Sequence, residues 1–121
     1  MLKILIIEDD DATRSILNYY ICGERGQYCD EADSYRKAME MIQNKRYDII
    51  LLDLWINGDF GIGLIEETRK LYQDGPPIII VISAMTGGKE IAERHKADKF
   101  VAKPFDLEIM DEFISDNNLL N

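Results

Sequence analysis

Histidine and tryptophan occur once each in this sequence, cysteine twice and proline three times. The two cysteines, Cys22 and Cys29, are too few for a disulfide scaffold, and their spacing matches no zinc motif. They read as free thiols, as in a reduced cytosolic protein. The lone histidine, His95, lies in a polar helical stretch and reads as a solvated surface residue. Basic residues are also scarce: 14 against 23 acidic, for a net charge of −9. That field repels phosphate backbones and anionic headgroups, so neither direct nucleic-acid binding nor a membrane partner is expected. No apolar run approaches the length that crosses a bilayer. The opening "MLKILII" is too short for a signal peptide, and acids follow it where a small-residue cleavage site belongs. A cytoplasmic location is expected. Repeats, low-complexity tracts and long linkers are absent as well.

What is present is an ordinary globular composition, 46% hydrophobic and 31% charged, over 121 residues, which fits one compact domain. Five short apolar runs, Lys3–Ile7, Tyr28–Ala32, Ile49–Leu52, Ile78–Ile82 and Phe100–Ala102, read as strands. Segments with helical spacing separate or follow them: Thr13–Glu24, Tyr35–Asn44, Leu64–Tyr72, Lys89–Lys96 and Leu107–Ile114. Asp10 or Asp11 can cap the first helix and Ser34 the second. Alternating strands and helices predict an α/β fold, with a parallel sheet covered by helices on both faces.

Ligands of open α/β sheets sit beyond the carboxyl ends of the strands. Those ends carry Glu8 and Asp9 after the first strand, Asp53 after the third, Ser83 after the fourth and Lys103 after the fifth. Three acids would meet a hydroxyl and an ammonium on one rim. Clustered carboxylates need a counter-charge to stay ionised, and Mg²⁺ fits an all-oxygen site that also handles phosphate. An aspartate can be a nucleophile that forms an aspartyl phosphate, and Lys103 could neutralise the transferring phosphoryl oxygens. Pro104 keeps Lys103 out of the helical region.

The motifs "IIEDD", "IILLDLWINGDFG", "VISA" and "FVAKPF", in this order over essentially the whole chain, resemble the receiver domain of a two-component response regulator. The resemblance implies a flavodoxin-like open sheet of five parallel strands in the order 2-1-3-4-5. It implies Asp53 as phosphoacceptor and Glu8, Asp9, Asp53 and the Trp55 backbone carbonyl as Mg²⁺ ligands. Lys103 would contact the phosphate, with its bond to Pro104 often cis. Ser83 would be the switch hydroxyl and Phe100 the switch aromatic. A histidine kinase or histidine phosphotransfer protein would supply the phosphoryl group. The output protein or effector domain is left unnamed, and output would leave by the face of the fourth helix, fifth strand and fifth helix. Trp55 and Met85, two positions beyond Asp53 and Ser83, would flank the path of the hydrolytic water.

Other readings fit less well. "GGKE" at Gly87–Glu90 lacks the upstream glycine and trailing hydroxyl of a phosphate loop. "GDFGIG" at Gly58–Gly63 reads as a turn with helix entry, since its glycine spacing is wrong for a dinucleotide site. An aspartyl phosphatase usually carries a second acid two residues beyond its nucleophile, where this chain has Trp55. A pseudo-receiver should have lost one of the acids, Ser83 or Lys103. The chain departs from the family at Asn57, where proline is usual, and at Lys96, where glycine is common.

Overall fold

The computed structural model describes residues 2–23, 26–104 and 108. β1 (Lys3–Ile7) lies between β2 (Tyr28–Ala32) and β3 (Ile49–Leu52), with every pairing parallel. Two short strands, β4 (Trp55–Ile56) and β5 (Asp59–Phe60), form a separate hairpin. β6 (Ile78–Ser83) and β7 (Lys99–Ala102) complete the main sheet, whose order is β2-β1-β3-β6-β7. Numbered among the five sheet strands alone, that is the expected 2-1-3-4-5. The fold is flavodoxin-like.

The central strands are aliphatic at nearly every position because both faces of the sheet are covered. Leu5, Ile7, Ile50, Leu52, Ile79 and Val81 point to one side, where they join α2 (Tyr35–Asn44) and α3 (Ile62–Leu71). Ile4, Ile6, Ile49, Leu51, Ile80 and Ile82 point to the other, against Leu17 and Ile21. Each such side chain contributes about 1.5–3 kcal/mol when fully buried. α4 (Gly88–Arg94) packs on the α2–α3 side through Ala92.

α1 (Asp11–Asn18) starts two residues earlier than its apolar spacing predicts. Asp10 is the cap, accepting from the Thr13 N–H at 2.8 Å and the Thr13 hydroxyl at 2.6 Å. The expected continuation is not α-helical over Tyr19–Gly23, which form a π turn that brings the adjacent Ile21 and Cys22 into the core together, and Glu24 lies outside the described residues. From there Cys22 meets Cys29 of β2 in a disulfide, with the two Cα atoms 6.0 Å apart. The expectation of two free thiols is therefore wrong. A spacing of seven residues gives no sign of the turn that brings the pair within reach.

Lys96, at a position where the family favours glycine, takes the left-handed conformation that ends α4 (φ 68°). The Lys103–Pro104 peptide is cis. The expected last helix, Leu107–Ile114, lies outside the described residues apart from Glu108. Among the described residues no helix is long and apolar enough to cross a membrane.

Candidate functional site

The strands deliver their chemistry where the ladder runs out. Glu8 follows β1 and is buried, its N–H still bonded to the Ala32 carbonyl at 3.1 Å. Asp53 follows β3, only 9% exposed, with its N–H on the Ile7 carbonyl at 3.2 Å. Ser83 closes β6 and is buried. Lys103 comes one residue after β7 and donates its N–H to the Ser83 carbonyl at 3.0 Å. The five expected side chains, Asp9 included, are thus placed by the sheet itself.

Lys103 Nζ lies 2.5 Å from Glu8 Oε1 and 2.7 Å from Asp53 Oδ2. One ammonium holds two carboxylates. The other oxygens are met by main-chain donors: the Asp9 N–H reaches Glu8 Oε2 at 3.0 Å, and the Trp55 N–H reaches Asp53 Oδ1 at 3.2 Å. The exposed Asp9 accepts from the Asn57 N–H at 3.1 Å. Arg14 of α1 donates to the Glu8 carbonyl at 2.9 Å, steadying the end of β1.

Burial pushes the Glu8 carboxyl above its ordinary value, against the opposing pull of Lys103. Burial would lower Lys103, but its bonds to Asp53 and Glu8 prevail and hold it above the ordinary value. The lysine is therefore a permanent cation at neutral pH.

Carboxylate oxygens of Glu8, Asp9 and Asp53 lie within 4.8 Å of one another. The donors are all hard oxygens, and three carboxylates face one ammonium. A divalent, oxygen-loving ion matches both the donor set and the leftover charge, so these residues fit Mg²⁺. The Trp55 carbonyl is compatible with that role. In the β4–β5 hairpin Leu54 and Gly61 form a bonded pair (2.8 Å), so the alternation leaves the Trp55–Phe60 pair outside the ladder.

Above Asp53 opens a cleft of about 500 Å³, lined by Asp53, Trp55, Ser83, Ala84, Met85 and Lys103. Trp55 is half exposed and tilted against Phe60, their ring centroids 6.4 Å apart. The Ser83 hydroxyl accepts from the Met85 N–H at 3.1 Å. Phe100 is half-buried and packs against the α2–α3 core. The "GG" of "GGKE" serves this ring. Gly87 caps α4 with φ 77°, and a Cβ on Gly88 would come within 3.2 Å of the Phe100 ring.

Sequence reasoning missed the hairpin that walls the site. Its signal was present, since Asn57–Gly58 between "WI" and "DF" is a two-residue turn with positive φ at both positions (52° and 82°). It also missed Tyr35, whose hydroxyl donates to the Asp53 carbonyl.

Comparison with known proteins agrees with this arrangement. The family model "response regulator receiver domain" matches residues 4–115. The transcriptional regulatory protein MalR of Bacillus subtilis is 31% identical over 119 residues, covering 96% of this chain and 50% of that protein. The sensory transduction protein LytR of Staphylococcus haemolyticus is 29% identical over 115 residues, covering 94% and 44%. The chain spans about half the length of the relatives it matches. Among solved structures, the Francisella response regulator 1452 receiver domain is 27% identical with a TM-score of 0.81, covering 99% of this chain and 96% of that one. TrrA of Thermotoga maritima, solved in complex with Mg²⁺ and BeF, is 25% identical with a TM-score of 0.81, covering 96% and 98%. On its sequence, its sheet and its acid–lysine rim, this chain belongs to the response regulator receiver domain family.

Proposed function

We propose that residues 1–121 act as one receiver domain, a switch that takes a phosphoryl group onto Asp53 and later loses it by hydrolysis. One observation carries the reading: a nearly buried Asp53 carboxylate, held by Lys103 on one oxygen and by the Trp55 N–H on the other, at the floor of an open cleft. An Asp53 oxygen attacks the phosphorus of a phosphohistidine. The P–N bond breaks, and the imidazole, already protonated on its other nitrogen, keeps the bonding electron pair and leaves neutral. Lys103 balances charge on the phosphoryl oxygens. Glu8, Asp9, Asp53 and the Trp55 carbonyl would hold Mg²⁺, which supplies further neutralisation when bound. The TrrA complex with Mg²⁺ and BeF supports this assignment by likeness.

The donor is a histidine kinase or histidine phosphotransfer protein, and the domain works in the cytoplasm, where the Cys22–Cys29 bond would be exposed to reduction. Ser83 would turn from the Met85 N–H to the phosphoryl group. Phe100 would follow, altering the α4 surface read by the output partner. Such a shift needs a contact that differs between the two states, and the Ser83 bond is one.

The test uses acetyl phosphate with Mg²⁺ and intact-mass measurement. Wild type gains one phosphate, and Asp53→Asn gains none. Stoichiometric labelling of Asp53→Asn, or labelling of wild type undiminished in EDTA, overturns the assignment. Lifetime is a second readout, because Trp55 and Met85 both line the cleft above Asp53 and neither offers a strong acceptor to align an attacking water. Trp55→Asn or Met85→Glu should speed acyl-phosphate decay about tenfold, the worth of one hydrogen bond gained by the attacking water. Unchanged decay in both variants removes the gating role.

A further inference from the structure

Tyr35 is the first residue of α2, just after its Ser34 cap. It is half-buried against the α2–α3 core, and its hydroxyl donates to the main-chain carbonyl of Asp53. That carbonyl lies one residue past the end of β3, where the sheet no longer dictates its direction. Burial, followed by the field of Asp53, Asp9, Asp59 and Glu8, pushes the Tyr35 phenol far above its ordinary value. It is a neutral donor at any working pH.

The space for this ring is built in. Gly61 has φ −82° and ψ 2°, a backbone open to any residue, so conformational freedom does not explain the glycine. A Cβ there would lie 2.7 Å from the Tyr35 hydroxyl oxygen and 2.9 Å from Cζ. Gly61 also bonds Leu54 across the hairpin stem at 2.8 Å. The phenol is thus wedged between the phosphoacceptor's peptide and the root of β4–β5. The hairpin tip is tied as well, since the Asn57 side chain donates to the Asp33 carbonyl at 3.1 Å and its N–H to Asp9.

The geometry points to Tyr35 as a positioning residue for phosphoryl transfer: its hydroxyl fixes the Asp53 peptide, and with it the Trp55 N–H that meets the Asp53 carboxylate and the Trp55 carbonyl that would help hold Mg²⁺. Tyr35 acts through the Asp53 peptide, to which its hydroxyl is bonded. The inference rests on Asp53 being the phosphoacceptor, and positioning alone is worth large factors in such reactions.

The experiment compares Tyr35→Phe with Tyr47→Phe. Tyr47 is also buried and donates to a carboxylate, Asp30 at 2.5 Å, but that bond lies away from the cleft. Mg²⁺ affinity is measured calorimetrically, and the phosphorylation rate with saturating acetyl phosphate and Mg²⁺. Tyr35→Phe keeps the ring that Gly61 accommodates, so it should fold, bind Mg²⁺ about three- to tenfold more weakly, and react about tenfold more slowly, as the loss of one hydrogen bond implies. Tyr47→Phe should lower the melting temperature yet leave both quantities within about twofold. Gly61→Ala should reproduce the Tyr35→Phe defect by driving the hydroxyl off the carbonyl. Adding Tyr35→Phe to Gly61→Ala should then cost little more, because both break one contact. Wild-type affinity and rate in Tyr35→Phe, or an equal loss in Tyr47→Phe, overturns the inference. Neither result touches the Asp53 assignment, which fails through labelling of Asp53→Asn or through wild-type labelling undiminished in EDTA.

Discussion

Lys45 and Lys103 each bind carboxylate at the sheet, one beside the start of β2 and one past the end of β7, and the surroundings of the two ammoniums differ in kind. Lys45 reaches Asp30 at 3.1 Å and the Tyr28 hydroxyl at 3.1 Å, and it sits over the Tyr28 ring at 4.5 Å. Tyr47 donates to the same Asp30 oxygen. One acid therefore has more donors than charge. Burial would push Asp30 up, but the bonds from Tyr47, Lys45 and Tyr28 outweigh it and hold the carboxyl below the ordinary value. At Lys103 the count is reversed: Glu8 and Asp53 share one ammonium, and Asp9 is left with the Asn57 N–H. The first cluster is complete and serves stability. The second lacks positive charge, and a site that lacks charge is one that an incoming ion or phosphoryl group can complete.

Removing each lysine gives the largest contrast. Lys103→Met should slow phosphorylation by acetyl phosphate about a hundredfold or more, the scale of one lost electrostatic donor. Lys45→Met should leave the labelling rate unchanged. Equal effects would erase the distinction between the clusters.

Removing one acid from each should act with opposite sign on stability. Asp9→Asn relieves like-charge repulsion and should raise unfolding free energy by about 0.5–1 kcal/mol in EDTA, while abolishing most of the stabilisation that Mg²⁺ gives wild type by mass action. Asp30→Asn loses a charge-assisted network and should cost about 1–2 kcal/mol. Urea denaturation with and without Mg²⁺ reads both, and a loss of stability in Asp9→Asn would break the comparison.

The smallest effect is in pH. Asp30 has its folded value below its unfolded one, so its stabilisation is present above the ordinary value of 3.8 and is lost as pH falls through the folded value. The stability gap between wild type and Asp30→Asn should therefore be full at pH 7 and shrink below pH 3.8. A gap that stays constant to the acid limit would show that Asp30 acts through shape rather than charge.

The sheet, the strand-end rim and most helices were legible because they follow from local pattern. Aliphatic runs are strands, and acids at their ends can only project from the carboxyl edge of a parallel sheet. Lys96 stands where glycine is common in the family, and its positive φ gives the reason. The hairpin is missed although Asn57–Gly58 spells it, because Gly58–Gly63 reads as a turn with helix entry and its flanking strands are only two residues long. The π turn and the Cys22–Cys29 pairing depend on how the chain returns to the sheet, which no local spacing encodes. Tyr35 and Gly61 lie 26 positions apart, and their fit exists only in the folded chain.

The strict alternation of the central strands has a practical consequence. Ile49 and Leu51 face one helical layer while Ile50 and Leu52 face the other, so the sheet is a wall between two rooms that share no side chain among these buried groups. An engineer could refurnish the room behind α1 by exchanging Ile4, Ile6, Leu17 and Ile80 without moving the furniture around Phe100 and α4. Substitutions in opposite rooms should combine as independent costs, and the signalling surface would tolerate a rebuilt foundation on the other side.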